Sequence, residues 1–266
     1  MDPSEPRAAL RPIDRPETGP LEATWLGRTD YRTAWTLQKQ LAAARAAGDI
    51  GDRLLLVEHP AVLTLGRQAH ESHVRASADE LLARGIELIR VERGGEVTYH
   101  GPGQLVAYPI IALARRDLLL RPFVRALEAA MVETCTAYGV AADRRDGHPG
   151  CWIEPDGAVP RKIGALGIRI ERGVSYHGIA LNLDPDLRDF DLIDPCGMPG
   201  VASTSIAAEL GRPGRLASTA DVESAAATFA RALAARIGVT LTGHGAAGDD
   251  VARVRAARPA DLATVS

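Results

Sequence analysis

Apolar and polar residues alternate along the chain with two periods, one typical of helices and one typical of strands. Apolar positions three and four residues apart predict helices over 31–47, 122–138, 203–210 and 221–237. Short runs rich in leucine, valine and isoleucine predict strands over 54–58, 62–65, 86–91, 97–99 and 105–111. A turn at 155–157 predicts a hairpin between 151–154 and 159–170, and a further strand follows over 174–183.

These elements predict an α+β fold with a mixed, largely antiparallel sheet and flanking helices, because strands and helices do not alternate regularly and hairpins adjoin one another. We expect one catalytic domain over residues 21–240. The proline- and arginine-containing lead, residues 1–20, has too little apolar surface to offset the entropy of ordering it, so we expect disorder. Residues 241–266 are rich in alanine, glycine and aspartate, which predicts a flexible tail.

Composition narrows the function classes. The 266 residues are 46% apolar and carry a formal net charge of −3, which does not favour nucleic-acid binding. No run approaches the roughly 20 apolar residues of a membrane span, and the first residues lack the apolar segment of a signal peptide. We therefore expect a cytoplasmic protein that binds neither nucleic acid nor membrane. Cys135, Cys151 and Cys196 have the spacing of neither a disulfide framework nor a zinc site, so we expect free thiols and no metal.

Three glycine-rich segments hold reactive side chains: residues 93–103, residues 162–167 together with 176–180, and residues 195–200. Glycines let the backbone approach a ligand closely, and successive N–H groups can bind an oxyanion or a carbonyl oxygen. The alternative is that these glycines form turns and bulges at strand ends. None of the segments has the spacing of a P-loop or of a dinucleotide-binding fingerprint.

One cysteine and one lysine stand out within these segments. Cys196 follows a proline and precedes a glycine in a loop, where a thiol can be exposed, whereas Cys135 and Cys151 are expected in the core. Lys162, on an alternating strand, could lower the pKa of the Cys196 thiol; the alternative is a surface lysine. If the two residues meet, the thiolate could attack an acyl group and form a thioester, with Lys162 as acid and base.

Histidines offer weaker candidates. His100 and His177 each precede a glycine, and they could hydrogen-bond an acyl carbonyl or orient Lys162, or serve a structural role. His70 and His73 lack a third ligand and are discounted as a metal site.

Five segments resemble the motifs of the lipoyl(octanoyl) transferases, also called octanoyl-[acyl-carrier-protein]:protein N-octanoyltransferases or lipoate-protein ligase B. They are EHPAVLTLGR (58–67), RGGEVTYHGPGQLVAYPI (93–110), KIGALGIRI (162–170), HGIALNL (177–183) and PCGMPGVASTSI (195–206). The resemblance covers most of residues 25–240, in the expected order.

The resemblance implies a fold similar to the catalytic domains of biotin and lipoate protein ligases. It implies transfer of an octanoyl group from octanoyl-acyl carrier protein to a specific lysine of lipoyl domains, the first step of endogenous protein lipoylation. The implied acceptors are the lipoyl domains of 2-oxoacid dehydrogenase complexes and the glycine cleavage H protein. No cofactor is implied, since a thioester donor is already activated.

The resemblance also implies roles for residues. Cys196 would be the acyl-thioester nucleophile, and Lys162 would lower its pKa and act as acid and base. By motif position, the implied substrate contacts are Arg93, Gly94, Gly95, Glu96, Val97, Thr98, Tyr99, His100, Ala165, Leu166, Gly167, Gly178, Ile179 and Ala180. We further expect an apolar slot for the acyl chain between the glycine-rich strands. A basic rim for acidic partner domains is expected, to which Arg67, Arg93, Arg115, Arg116, Arg144 and Arg145 could contribute; the alternative for each is a solvated surface residue.

Two other functions compete with this one. An ATP-dependent lipoate or biotin protein ligase would share the fold and use a lysine but no nucleophilic cysteine, and Cys196 favours the transferase. A non-catalytic module that binds lipoyl domains or acyl carriers would need neither Lys162 nor Cys196. The presence of both residues disfavours it.

Overall fold

The computed structural model describes residues 16–194 and 201–246, whose helices and strands carry the fold. The helices are α1 (Tyr31–Ala47), α2 (Ala78–Ala83), α3 (Leu120–Ala137), α4 (Ile206–Glu209) and α5 (Thr219–Arg236). The strands are β1 (Leu21–Arg28), β2 (Asp52–Glu58), β3 (Val62–Leu65), β4 (Glu87–Arg90), β5 (Val97–His100), β6 (Gln104–Ile110), β7 (Asp143–Arg145), β8 (His148–Ile153), β9 (Arg161–Glu171), β10 (Val174–Asn182), β11 (Ala202–Ser203) and β12 (Leu241–Ala246).

Most strands join one large mixed sheet. Its order over the described residues is β12-β1-β2-β6-β10-β9-β8-β7, and β11 pairs with β9. The strands from β2 to β7 along this order pair antiparallel, whereas β1 pairs parallel with both of its neighbours. A smaller sheet has the order β4-β3-β5. The predicted α+β fold with a largely antiparallel sheet is confirmed.

Helices cover both faces of the large sheet. On one face α3 and α5 bury Phe123 and Phe229 against the sheet, and on the other face α1 buries Leu37. Alternate residues of β2 enter the two cores, with Leu54 on the α3 and α5 side and Leu55 on the α1 side. A strand that is buried on both faces is apolar at successive positions, which explains the continuous leucine run.

Local signals set the ends of α1 as predicted. The Asp30 side chain accepts a hydrogen bond from the Thr33 amide, which caps the first turn. Gly48 ends the helix with φ of 92°, in the left-handed region that glycine adopts easily. The prediction of a helix over 31–47 is confirmed at both ends.

The two ends of the described chain differ from the predictions. Residues 241–246, placed in a flexible tail, form β12 and pair with β1, a strand that the hydrophobic pattern does not predict. Gly243 has φ of 76°, and a Cβ there would lie 2.5 Å from the Ala23 carbonyl oxygen. The glycine content that predicts a tail therefore serves a close strand pairing. Glu17, within the predicted lead, donates its backbone N–H to the Arg115 carbonyl at 2.6 Å.

Candidate active site

A cavity of about 620 Å³ opens where β9 and β10 of the large sheet meet the segment that precedes β5. It collects most of the candidate residues from three distant parts of the sequence. Lining it are Arg93, Gly94, Gly95, Glu96, Val97, Thr98, His100, Lys162, Ala165, Leu166, Gly167, Gly178, Ile179 and Ala180. Chain folding therefore brings these candidates together at one place.

Lys162 lies in the wall of this cavity and is 8% exposed. Its backbone is fixed on both sides, because β9 pairs Lys162 with Trp152 of β8 and with Ser203 of β11. The Thr204 amide also donates to the Lys162 carbonyl at 3.0 Å. The alternative of a solvated surface lysine is wrong.

Cys196 lies outside the described residues, so its placement stays a prediction. The chain on either side of 195–200 is anchored. Before it, the Asp194 amide donates to the His73 carbonyl at 2.8 Å. After it, Ser203 lines the cavity beside Lys162. Ser203, seven residues after Cys196 in the sequence, therefore lies beside the lysine.

The other two cysteines are in the core, as predicted. Cys135 on α3 and Cys151 on β8 are free thiols and fully buried. A hydrogen bond with Cys135, together with burial, raises the pKa of Cys151. A thiol held in its protonated form is a poor nucleophile, so Cys151 is unsuited to covalent catalysis.

Arg93 is a structural support of the cavity wall rather than part of a basic rim. Its guanidinium is buried and donates to the Thr64 carbonyl at 2.8 Å and to the Gly94 carbonyl at 3.1 Å. The Gly94 amide in turn donates to the Ile168 carbonyl of β9 at 3.0 Å. These bonds hold the segment 93–95 against the strand, and the prediction of Arg93 as a rim residue is wrong.

Two further members of the predicted rim are engaged elsewhere. Arg115 donates to the Ala46 carbonyl at 3.1 Å, and Arg116 donates to the Gly19 carbonyl at 2.7 Å and pairs with Asp52. Arg67 and Arg144 are exposed, and the Arg145 guanidinium lies 5.2 Å from the centre of the Trp152 ring.

Tyr99 is a predicted contact that does not line the cavity. It is 1% exposed and packs edge to face on Phe190, with 5.3 Å between ring centres. Neighbouring strand residues point to opposite faces, so Thr98 and His100 reach the cavity while Tyr99 enters the core of the smaller sheet.

Glycines of this site are required mainly by packing of the backbone. A Cβ at Gly178 would lie 1.9 Å from the Ala107 carbonyl oxygen, and one at Gly167 would lie 2.7 Å from the Gly94 carbonyl oxygen. Side chains at either position would push strands or the segment 93–95 apart. Glycine-rich sequence here therefore indicates close approach of backbones, which also forms the cavity wall.

A chain of hydrogen bonds joins His100 to the backbone of Lys162. His100 Nδ1 donates to Gln104 Oε1 at 2.8 Å, and Gln104 Nε2 donates to Asn182 Oδ1 at 2.9 Å. Asn182 Nδ2 donates to the Thr204 carbonyl at 2.8 Å, and Thr204 donates to Lys162. Sequence reasoning missed Gln104 and Asn182, although Gln104 directly follows the glycine-rich segment 93–103 and Asn182 lies two residues after 176–180.

His177 lies too far from Lys162 to orient it. It pairs with Ile168, six residues along β9 from Lys162, which corresponds to about 20 Å. Burial lowers the pKa of His177, and its Nε2 lies 3.8 Å from the Glu92 carboxylate. A neutral histidine here marks the polar end of the cavity, together with Tyr31 and Tyr108.

His59 holds Tyr108 in place at this polar end of the cavity through a hydrogen bond. Its Nδ1 donates to the Thr29 carbonyl at 2.7 Å, and its Nε2 accepts from the Tyr108 hydroxyl at 2.8 Å. These roles are those of a neutral imidazole, with the proton on Nδ1 and the lone pair on Nε2, and burial favours that form. Burial lowers the pKa of His59 to about 4.

We expect this histidine to make the fold acid-sensitive. Its pKa is below the unfolded value of about 6.5, so the unfolded chain binds the proton first and stability falls between about pH 6.5 and 4. The loss should reach roughly 3 kcal/mol. Urea unfolding across this range should show a shallower pH dependence in His59→Gln than in wild type. The exposed His70→Gln control should keep the wild-type slope, and parallel curves for all three proteins would contradict the assignment.

Within 16–194 and 201–246, no group of three or more histidine, cysteine, aspartate or glutamate side chains is arranged to hold a metal ion. Over the same ranges, each helix is too short or too polar to cross a bilayer.

Known proteins resemble this chain over most of its length. The family model of the lipoyl protein ligase A/B catalytic domain matches residues 30–233. An octanoyltransferase of Chloroflexus aurantiacus is 47% identical over 202 residues, covering 76% of this chain and 89% of that protein. An octanoyltransferase of Mycobacterium sp. strain KMS is 44% identical over 227 residues, covering 85% and 91%.

Solved structures share the fold at low sequence identity. A lipoate-protein ligase A bound with ATP has a TM-score of 0.63 at 15% identity, covering 90% of this chain and 93% of that one. A bi-partite lipoate protein ligase from Thermoplasma acidophilum, described with its E2 lipoyl domain, has a TM-score of 0.60 at 15% identity, covering 89% and 90%. The predicted similarity to lipoate ligase catalytic domains is confirmed for the fold.

Proposed function

This chain belongs to the octanoyltransferase family and is an acyltransferase of protein lipoylation, and we propose that Cys196 carries the octanoyl group between donor and acceptor. The donor is octanoyl-acyl carrier protein, and the acceptor is a specific lysine of a lipoyl domain. The observation that carries the proposal is the buried Lys162 in the cavity wall, which pairs with Ser203, seven residues after Cys196 in the sequence. We also propose a cytoplasmic location, supported by the free thiols of Cys135 and Cys151.

In the first half-reaction, Cys196 takes the octanoyl group from the carrier. Lys162 accepts the thiol proton, and the thiolate attacks the carbonyl carbon of the donor thioester. The tetrahedral intermediate expels the carrier's thiolate, which receives the proton from Lys162. A new carbon–sulfur bond to Cys196 replaces the one to the carrier, so no energy source beyond the thioester is needed.

In the second half-reaction, the acceptor lysine releases the enzyme. Its neutral amine attacks the Cys196 thioester, and Lys162 takes the proton lost from nitrogen. The intermediate expels the Cys196 thiolate, and the octanoyl group is left in an amide bond. Lys162 then returns its proton to the thiolate, which restores the starting state.

The cavity supplies the remaining needs of this chemistry. Ala165 and Ala180 face one another across β9 and β10, and with Val124 they give an apolar wall for the acyl chain. Backbone N–H groups of β9 or next to Cys196 are our candidates for the oxyanion donors, where loss of one donor costs about 10²- to 10³-fold in rate.

Acceptor identity is inferred from the family. The Thermoplasma acidophilum relative is a lipoate protein ligase described with its E2 lipoyl domain. The family resemblance carries this acceptor class to this chain, which should accept lipoyl domains of 2-oxoacid dehydrogenase complexes and the glycine cleavage H protein.

Intact-protein mass spectrometry tests the thioester intermediate. The enzyme is incubated with octanoyl-acyl carrier protein without ATP, beside Cys196→Ala and Cys135→Ala. We expect one octanoyl adduct in wild type and in Cys135→Ala, released by hydroxylamine and absent from Cys196→Ala. A folded wild type that forms no adduct with active donor, yet modifies lipoyl domains only when ATP and free octanoate are added, would instead establish the ATP-dependent ligase.

A further inference from the structure

Both lysines of the chain lie over tryptophan rings, one at the surface and one in the cavity wall. Lys39 Nζ is 4.3 Å from the centre of the Trp35 ring on the exposed side of α1, and Lys162 Nζ is 5.2 Å from the centre of the Trp152 ring. We infer that Trp152 is a positioning residue: its ring holds the Lys162 ammonium in place for proton transfer. This inference rests on the proposed role of Lys162.

The sheet places this ring where it can act on Lys162. Trp152 stands directly opposite Lys162 in the pairing of β8 and β9. The ring is fully buried, and its Nε1 donates to the His148 carbonyl at 3.0 Å, which fixes its orientation. A fixed ring beside a flexible side chain can set where that side chain ends.

A glycine of β8 leaves the space that the Lys162 side chain occupies. Gly150 has φ of 135°, and a Cβ there would lie 3.1 Å from Lys162 Cε and 2.5 Å from the Gly164 carbonyl oxygen. Glycine at this position thus leaves the channel through which the lysine stem runs past β8. The Gly150 amide is held by Glu128 Oε1 at 3.1 Å, so the channel keeps its shape.

The fixed position of the Lys162 side chain against the Trp152 ring should favour proton transfer. A lysine side chain has four flexible carbons and loses much rotamer freedom when it is fixed. A cation over an indole face is attracted by the ring quadrupole, and the attraction grows when water is excluded. Since a misplacement of about 1 Å can cost about a hundredfold in rate, an aromatic support at the lysine's tip should raise turnover without touching substrate.

The two-lysine composition makes the placement directly measurable. Protein made with ¹³C-labelled lysine should give two sets of side-chain signals, and Lys39→Arg leaves only those of Lys162. We expect the ring current of Trp152 to move the Lys162 Cε–H proton signals upfield in wild type. The shift should vanish in Trp152→Leu and persist in Trp152→Phe.

Activity should follow the same pattern. We expect Trp152→Leu to lower kcat for octanoyl transfer by about tenfold to thirtyfold, with KM unchanged. Trp152→Phe, which keeps an aromatic face, should recover most of the loss. The matched control is Lys39→Met, which removes the other lysine from its tryptophan at the surface and should leave transfer at the wild-type rate.

The outcomes separate the inference from the proposed function. Wild-type Lys162 signals without an upfield shift would overturn the inference, as would full transfer by Trp152→Leu. If the Lys162 signals are shifted upfield but the wild type forms no acyl-enzyme, the proposed function is wrong and the placement of Lys162 by Trp152 is still supported. If Trp152→Leu does not fold, the wild-type shift and the Trp152→Phe rate decide the matter.

Discussion

Replacing Lys162 with methionine should lower octanoyl transfer by about a hundredfold to ten-thousandfold, the range typical of a lost general acid–base group. Methionine has a similar length and no charge, so it should occupy the space between Gly150 and Trp152 without unfolding the chain. Both half-reactions need the same proton carrier, so acylation by the donor and transfer to the lipoyl domain should slow together. Rapid-quench measurement of each half-reaction tests this expectation.

Lys162→Arg is the informative companion variant. It keeps the positive charge that favours a thiolate, but a guanidinium does not give up its proton near neutral pH. If Lys162 transfers protons, the arginine variant should be nearly as slow as methionine. If it only supplies charge, Lys162→Arg should acylate at a rate close to wild type. Lys162→Met activity within tenfold of wild type would remove the lysine from the mechanism altogether.

Local sequence signals predicted elements whose determinants are close together in the chain. Asp30 and Gly48 delimit α1 through contacts within a few residues, and the prediction of its ends is confirmed. The hairpin of β8 and β9 follows from a turn and two apolar runs. The sequence did not predict β12, because this strand is stabilised by pairing with β1, more than two hundred residues away.

The candidate site shows the same division. Its glycine-rich segments were visible in the sequence, and they line one cavity. Tyr99 was misplaced because strand alternation decides which neighbours face the cavity, and a motif read as a continuous string hides that alternation. Tyr31 and Tyr108 were missed because one begins an amphipathic helix and the other lies in a strand that is buried throughout. Only the packing of α1 on the sheet brings them together at the cavity.

Arg116 illustrates how an assumption about charge fails without the fold. The expectation of acidic partner domains suggested a rim residue, and the alternative was a solvated surface arginine; both place the side chain in water. Arg116 instead lies with Arg45 around the carboxylate of Asp52, and the three side chains are almost fully buried. Burying charges is costly unless they are paired and hydrogen-bonded. Arg45 and Asp52 are only seven residues apart, but Arg116 comes from a segment 64 residues beyond Asp52, and only the fold brings it to the pair.

Asp52→Asn should therefore destabilise the fold by about 3 to 5 kcal/mol, the cost of breaking a buried ion pair by removing one partner. Asp52 Oδ1 accepts from Arg45 Nε at 2.6 Å and from the Ala112 amide at 3.1 Å. A neutral amide keeps the shape but leaves the buried Arg116 guanidinium without a carboxylate and Arg45 with Glu17 as its remaining acidic partner. The midpoint of thermal unfolding should fall by about 10 °C.

The site of this change lies away from the cavity lining, which separates stability from catalysis. Asp52→Asn should transfer octanoyl groups at the wild-type rate per folded molecule at a temperature below its unfolding transition. Asp156→Asn, at an exposed turn, makes the same chemical change and should leave the midpoint within about 1 °C, since surface substitutions cost little. Equal midpoints for Asp52→Asn and wild type would mean that water reaches the two arginines. The cluster would then add nothing to the joining of α1, β2 and the segment after β6.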